Sequence, residues 1–167
     1  MLVIMDMDFT LVNTTEVERL RRLRQWRAAS SELVNTVVYE GVHEMLSELE
    51  ENGHEIVVLT NSPVRDARRL IEIHELSVSN AYYYKELGVR PKPDSSGHSL
   101  LIKRASRDVT EVVSVGDDPK DRVAAHGAGV RFIAAMWGAR NQSVADDADA
   151  VADHPGIVTE LIQEWSV

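Results

Sequence analysis

The stretch VIMDMDFTLVNT, residues Val3–Thr14, begins with apolar residues and then places two aspartates one residue apart, at Asp6 and Asp8. A short apolar run such as Leu2–Met5 is consistent with a buried strand. Two carboxylates this close repel each other, because like charges a few ångströms apart raise the energy of the pair. A bound cation would relieve that repulsion, so the end of this strand is the first candidate site in the chain.

Short apolar runs alternate with helical patterns along the rest of the sequence. After Leu2–Met5, the predicted strands are Glu55–Leu59, Ala81–Tyr84, Glu111–Val115, Val130–Ala134 and a short sixth at Ala150–Ala152. The predicted helices are Val42–Glu51, Val64–Ile73, Ser99–Ala105, Asp118–Gly127 and Gly156–Trp165. Such alternation indicates a mainly parallel sheet covered on both faces. With right-handed crossovers it predicts an α/β fold, a Rossmann-like three-layer α/β/α sandwich with five or six strands.

The length of 167 residues fits one domain, which we predict over residues 1–167. Residues 13–38 interrupt the alternation, because this segment is too long for a simple connection and carries a helical pattern of its own. We therefore expect a small helical insertion between the first strand and the Val42–Glu51 helix.

Composition and charge restrict the partners. The net charge of -9 disfavours general nucleic-acid binding without excluding a local basic patch. The sequence has no apolar run of about 18 residues and no signal-peptide pattern at its start, so we expect no membrane span and no secretion. Cysteine is absent, which excludes disulfides and thiolate metal sites and permits a reducing compartment. We predict a cytoplasmic protein, either a monomer or a homodimer.

Polar side chains follow four of the predicted strands, at the end of the sheet where ligands gather in parallel α/β folds. They are Asp6, Asp8, Thr60, Asn61, Ser62, Lys92, Asp117, Asp118 and Asp121. Hard divalent cations take oxygen ligands from carboxylates together with substrate phosphate. A lysine ammonium and a threonine hydroxyl add a positive charge and a hydrogen bond for an anion. The pattern therefore indicates a metal and phosphate site.

Four motifs in this order resemble those of the haloacid dehalogenase superfamily. They are VIMDMDFTL, IVVLTNS, RPKP and VVSVGDDPKD, and each follows a predicted strand. The WGA and ADAVADHPGIVTELI stretches resemble the C-terminal part of phosphoglycolate-phosphatase-like members. The sequence departs from the common pattern at Phe9, where many members have glycine, and at Asn13, where many have aspartate. By the same resemblance, residues 13–38 stand in the position of a cap and form a minimal one.

The resemblance implies a magnesium-dependent phosphomonoester hydrolase. Asp6 would be the nucleophile that forms an aspartyl-phosphate, and Asp8 the general acid and then the general base. Mg²⁺ would be bound by the Asp6 carboxylate, the Asp8 backbone carbonyl and the Asp117 carboxylate. The remaining implied site residues are Thr60, the Asn61 backbone and Lys92 for the transferred phosphoryl group. Asp118 and Asp121 either support this site or cap a helix.

The insertion contains ERLRRLRQWR, Glu18–Arg27, in which Leu20, Leu23 and Trp26 recur every three residues. One interpretation is an amphipathic helix that packs on the core through this apolar stripe and exposes its arginines. A second is that Arg21 and Arg24 overlook the site and steer anionic substrates. A partner or dimer surface is a third.

Other functions compete with a phosphatase. A phosphotransferase or phosphomutase of the same superfamily would share the site but would need to exclude water, which usually requires a larger cap. A receiver-like phospho-acceptor module would place its phosphorylated aspartate after the third strand, where YYYKE has none. A catalytically silent binding protein is disfavoured because no expected catalytic group is missing. The expected substrate is a phosphorylated small molecule or an exposed macromolecular phosphoester.

Overall fold

The computed structural model describes residues 1–166, and a six-stranded parallel sheet lies at its centre. The strands in chain order are β1 (Leu2–Met5), β2 (Val12–Asn13), β3 (Val37–Val38), β4 (Glu55–Thr60), β5 (Asn80–Tyr83), β6 (Val112–Gly116), β7 (Arg131–Ala135) and β8 (Ala150–Ala152). The sheet has the order β5-β4-β1-β6-β7-β8, while β2 and β3 form a separate antiparallel pair. The strand order places β1 between β4 and β6, in the middle of the sheet.

Helices cover both faces of the sheet. They are α1 (Thr15–Arg22), α2 (Trp26–Glu32), α3 (Val42–Glu51), α4 (Val64–Ile73), α5 (Tyr84–Leu87), α6 (Ser96–Ala105), α7 (Pro119–Gly127) and α8 (Pro155–Trp165). Val3 and Met5 of β1 point into the apolar cluster that includes α3, α4 and α8, whereas Leu2 and Ile4 point into the cluster that includes α6 and α7. Because side chains alternate along a strand, β1 joins the two halves of the core. Within residues 1–166, no helix has the length and apolar character needed to cross a membrane.

The predicted α/β fold is confirmed, and the sheet has six strands. Four elements have their predicted bounds: Leu2–Met5, Val42–Glu51, Val64–Ile73 and Ala150–Ala152. Helix α6 begins at Ser96, three residues before its predicted start at Ser99. Its first turn is poor in apolar residues and therefore lacks the periodic signal, but the Asp94 carboxylate accepts a hydrogen bond from the Ser96 backbone N–H at 2.9 Å and supports the helix start.

The insertion differs from the expected single amphipathic stripe. Helix α1 ends at Arg22, Arg24 adopts a left-handed conformation with φ of 58°, and α2 begins at Trp26. This turn redirects the chain, so Leu20 is only 8% exposed while Leu23 and Trp26 are 55% and 58% exposed. The prediction that all three side chains pack on the core is therefore wrong for Leu23 and Trp26.

Candidate active site

Three carboxylates meet at the carboxyl ends of β1 and β6. Asp6, Asp117 and Asp121 each offer an oxygen atom, and these atoms all lie within 4.8 Å of one another. The Asp6 backbone N–H donates to the Val115 carbonyl at 3.0 Å, which continues the β1–β6 pairing one residue beyond the strand. The Thr10 hydroxyl donates to Asp117 Oδ1 at 3.0 Å. The parallel sheet thus brings together two aspartates that are far apart in the sequence.

Burial makes this carboxylate cluster electrostatically unfavourable without a cation. Burial raises the pKa of Asp6 to about 7; Lys92 opposes this rise, while Asp121 and Asp8 add to it. Burial likewise raises the pKa of Asp117 to about 9, and the neighbouring Asp6 and Asp121 carboxylates contribute. Grouped, desolvated carboxylate oxygens are the hard donors that a divalent metal ion prefers. The residues present therefore fit a divalent cation.

Lys92 supplies a positive charge inside the cluster. Its Nζ lies 2.6 Å from Asp6 Oδ1 and 2.6 Å from Asp121 Oδ1, and it donates to the Leu59 carbonyl at 2.8 Å. Burial alone would lower the pKa of Lys92, but the Asp121 and Asp6 carboxylates outweigh that effect and raise it. The ammonium is therefore a fixed cation beside Asp6.

Asn61 fixes the backbone around that lysine. Its side-chain amide donates to the Lys92 carbonyl at 2.9 Å, and its side-chain oxygen accepts from the Lys92 backbone N–H at 3.0 Å. The sequence suggested a role for the Asn61 backbone and gave no sign of this reciprocal side-chain pair. The Asn61 side chain thus fixes the backbone of Lys92 and thereby positions the Lys92 ammonium.

Thr60, Ser62 and Asp8 line the other side of the site. Thr60 is buried, and its hydroxyl oxygen accepts from the Ser62 backbone N–H at 2.9 Å. The Ser62 hydroxyl donates to Asp8 Oδ2. The sequence placed Ser62 at this strand end without giving it a role, because its partner Asp8 lies in the loop after a different strand, β1.

Asp118 and Asp121 are the two acidic members of a capping box at the start of α7. The Asp118 side chain accepts from the Lys120 backbone N–H at 2.9 Å, and Asp121 Oδ2 accepts from the Asp118 backbone N–H at 3.1 Å. Asp121 also contacts Lys92 through its other oxygen. Both residues therefore take part in capping α7, and Asp121 lies in the charged cluster as well. A supporting role of either residue in catalysis stays a prediction.

The candidate residues line one open cavity of about 220 Å³. Phe9 is also among its lining residues, and the guanidinium of Arg140 stacks 3.7 Å above the centre of its ring. Arg140 in addition forms an ion pair with Glu18 of α1. The sequence gave no signal for this contact, because it joins the insertion to the loop after β7.

The two arginines expected to steer substrates lie in different places. Arg21 lines the cavity and forms ion pairs with Asp8 at 3.2 Å and with Asp66 at 2.8 Å. Within residues 1–166, Arg24 is not among the cavity-lining residues; it lies with Trp26 at the junction of α1 and α2. The steering role stays a prediction, and the geometry brings only Arg21 to the site.

Comparison with known proteins places the chain in a family. Over 121 residues it is 30% identical to a phosphoglycolate phosphatase of Pseudomonas fluorescens, covering 70% of this chain and 43% of that protein. Over 155 residues it is 28% identical to an N-acetylmuramic acid 6-phosphate phosphatase of Pseudomonas aeruginosa, covering 90% of this chain and 69% of that protein. The chain spans about half the length of several such relatives.

The fold is shared with a solved structure described as a predicted phosphoglycolate phosphatase from Haemophilus somnus. The two superpose with a TM-score of 0.81 at 19% sequence identity, covering 96% of each chain. At that identity the likeness concerns the fold alone. The sequence model of the haloacid dehalogenase-like hydrolases matches residues 15–135, which is more than half of the chain. The chain therefore belongs to the haloacid dehalogenase-like hydrolase family.

Proposed function

We propose that this protein is a magnesium-dependent phosphomonoester hydrolase that acts through an aspartyl-phosphate on Asp6. The observation that carries the proposal is the pairing of Asp6 with Lys92 at 2.6 Å inside a cluster of buried carboxylates. Membership of the hydrolase family and the phosphatase names of the relatives support it.

In the proposed first step, Asp6 attacks the phosphorus of the substrate. A bond forms between an Asp6 carboxylate oxygen and phosphorus while the ester P–O bond breaks, and the leaving alcohol oxygen takes a proton from Asp8. The Lys92 ammonium offsets part of the negative charge of Asp6 and so lets an anionic phosphoryl group approach. Thr60 and the Asn61 backbone help to hold the transferred oxygens.

In the proposed second step, water releases the phosphate. A water oxygen attacks the phosphorus, Asp8 accepts the proton from that water, and the bond between phosphorus and Asp6 breaks. Inorganic phosphate leaves, and Asp6 is again a carboxylate. The proton that Asp8 takes from this water replaces the one that left with the alcohol in the first step, so the site is regenerated without another acid.

The Asp6 and Asp117 carboxylates, with the Asp8 backbone carbonyl, would hold Mg²⁺. When bound, the ion would neutralise charge in the cluster and polarise the phosphoryl oxygens. Both Asp121 oxygens already have partners, one with Lys92 and one with the start of α7. Asp121 is thus better suited to orient Lys92 than to bind the metal directly.

The test is phosphate release from a panel of phosphomonoesters: aryl phosphates, sugar phosphates, nucleotides and small phosphorylated acids. We expect hydrolysis with Mg²⁺ and its loss with excess chelator.

Asp6→Asn, which keeps the side-chain shape, should abolish turnover while the far-ultraviolet circular dichroism stays unchanged. Because general catalysis alone contributes about 10²–10⁴-fold, a variant retaining more than about a hundredth of the wild-type rate would exclude Asp6 as the nucleophile. Undiminished activity in chelator would exclude the metal.

The same panel distinguishes the alternative of a phosphotransferase or phosphomutase. Such an enzyme would pass the phosphoryl group to an added alcohol or sugar in preference to water. Product analysis with and without an acceptor separates transfer from hydrolysis. Release of one inorganic phosphate per substrate consumed, whether or not an acceptor is present, is the result expected for the hydrolase.

A further inference from the structure

Arg21 makes more contacts with the candidate site than any other arginine of the insertion. Its Nη1 donates to Asp8 Oδ1 at 3.2 Å and to the Ser62 hydroxyl at 2.9 Å, and its Nη2 donates to Asp66 Oδ2 at 2.8 Å. The Arg21 side chain is only 12% exposed. A guanidinium held at both terminal nitrogens, Nη1 and Nη2, by buried or half-buried partners has a defined orientation, since its planar fork fixes the directions of its donors.

These contacts hold both oxygens of the Asp8 carboxylate. Oδ1 accepts from Arg21 and Oδ2 accepts from Ser62, so the carboxylate has a donor on each side. Asp66, in the first turn of α4, fixes the opposite edge of the guanidinium. The insertion helix α1 and the core helix α4 thus act together on one side chain of the loop after β1.

We infer that Arg21 is a positioning residue for Asp8 and determines how well the enzyme cleaves esters with poor leaving groups. The inference rests on the proposed function, in which Asp8 gives its proton to the leaving oxygen as the ester P–O bond breaks. An alkoxide is a poor leaving group and depends on that proton, whereas p-nitrophenolate leaves readily without it. A displaced Asp8 therefore harms alkyl phosphates most, because catalysis is sensitive to displacements of about 1 Å.

Two other roles for Arg21 give different kinetics. If Arg21 only attracted anions, its loss would lower kcat/KM by the same factor for every phosphomonoester, and the effect would shrink at high salt. If Arg21 only held α1 on the core, its loss would lower the melting temperature and leave the relative rates of different esters unchanged. The dependence of kcat/KM on the leaving group separates these accounts.

The experiment measures kcat/KM for p-nitrophenyl phosphate, phenyl phosphate and a series of alkyl phosphates with the wild type, Arg21→Gln and Arg21→Lys. General acid catalysis contributes about 10²–10⁴-fold. We therefore expect Arg21→Gln to lose about 10–100-fold on alkyl phosphates and less than about threefold on p-nitrophenyl phosphate. Arg21→Lys should recover part of the loss, because an ammonium can donate to Asp8 but cannot span Asp8 and Asp66. Arg27→Gln removes the same charge from an exposed position on α2 and should match the wild type.

A second variant covers the case in which Arg21→Gln does not fold. Ser62→Ala removes one hydroxyl from the other side of Asp8 and should give the same selective loss on alkyl phosphates. An equal loss on all esters, or no loss, in the folded variants would overturn the inference. If the wild type hydrolyses none of the panel, the proposed function fails and the inference fails with it. Wild-type hydrolysis with an unchanged leaving-group dependence in the variants overturns the inference alone.

Discussion

Asp117 is buried next to two other carboxylates, and its protonation is therefore tied to the stability of the metal-free protein. The pKa of Asp117 is about 9 in the folded protein and that of Asp6 about 7, both above the value of 3.8 typical of an exposed aspartate. A folded-state pKa above the unfolded value means that the folded protein binds more protons. The contribution of these groups is thus fully present below the unfolded pKa and is lost as the pH rises through the folded values.

Asp117→Asn should stabilise the metal-free protein at alkaline pH. The amide keeps the shape of the side chain and removes a charge that burial and Asp6 disfavour. We expect a gain of about 1 kcal/mol or more near pH 9, which corresponds to roughly 2–4 °C in melting temperature for a chain of this size. The gain should vanish near pH 4, where Asp117 is protonated in the folded protein. Thermal unfolding in chelator across this range checks it, and a lower melting temperature for the variant at alkaline pH would contradict the assignment.

The left-handed turn at Arg24 makes two short helices from what the sequence presents as one amphipathic segment. Helix propensity and apolar periodicity describe residues along one continuous helix. Neither property identifies the residue at which the chain turns back toward β3. Helix α1 consequently packs through Val17 and Leu20, while Leu23 and Trp26 face outward.

Leu20→Ala and Leu23→Ala form a matched pair that tests this arrangement. Removing a buried leucine costs about 2–5 kcal/mol, and we expect the lower end of that range for Leu20 because its side chain is not completely buried. An exposed substitution usually changes the free energy of unfolding by less than about 0.5 kcal/mol. Denaturant unfolding should therefore show a loss for Leu20→Ala and almost none for Leu23→Ala. Equal losses would mean that the stripe packs as a continuous helix.

At the scale of the molecule, the order of the strands assembles the site. Since β1 lies between β4 and β6, the residues at the carboxyl ends of these three neighbouring strands lie close together. This much could be predicted from Asp6, Thr60 and Asp117, because each follows an apolar run whose end is clear in the sequence. The contacts made by Ser62 and Arg21 could not, since they depend on how loops and the insertion pack across strands.

Mg²⁺ should stabilise the whole fold by binding to the cluster that burial destabilises. A ligand present at 100 times its dissociation constant contributes about 2.7 kcal/mol, which is roughly 5–10 °C in melting temperature here. We expect this rise for the wild type and a much smaller one for Asp117→Asn. Sodium chloride at equal ionic strength is the control for general screening. The same rise with sodium chloride, or an undiminished rise in the variant, would show that the effect does not arise at this site.

Gly138 approaches the loop after β1 closely, so a part of the chain that follows β7 supports the conformation of this N-terminal loop. A Cβ atom at position 138 would lie 1.6 Å from the Phe9 carbonyl oxygen, and the neighbouring Trp137 donates its indole N–H to the Thr10 carbonyl at 2.9 Å. Every candidate catalytic side chain precedes β7, yet the loop bearing Asp6 and Asp8 rests on residues that follow it. A fragment that stopped at the end of β7 would contain the complete set of reactive groups and lack the surface against which two of them are aligned.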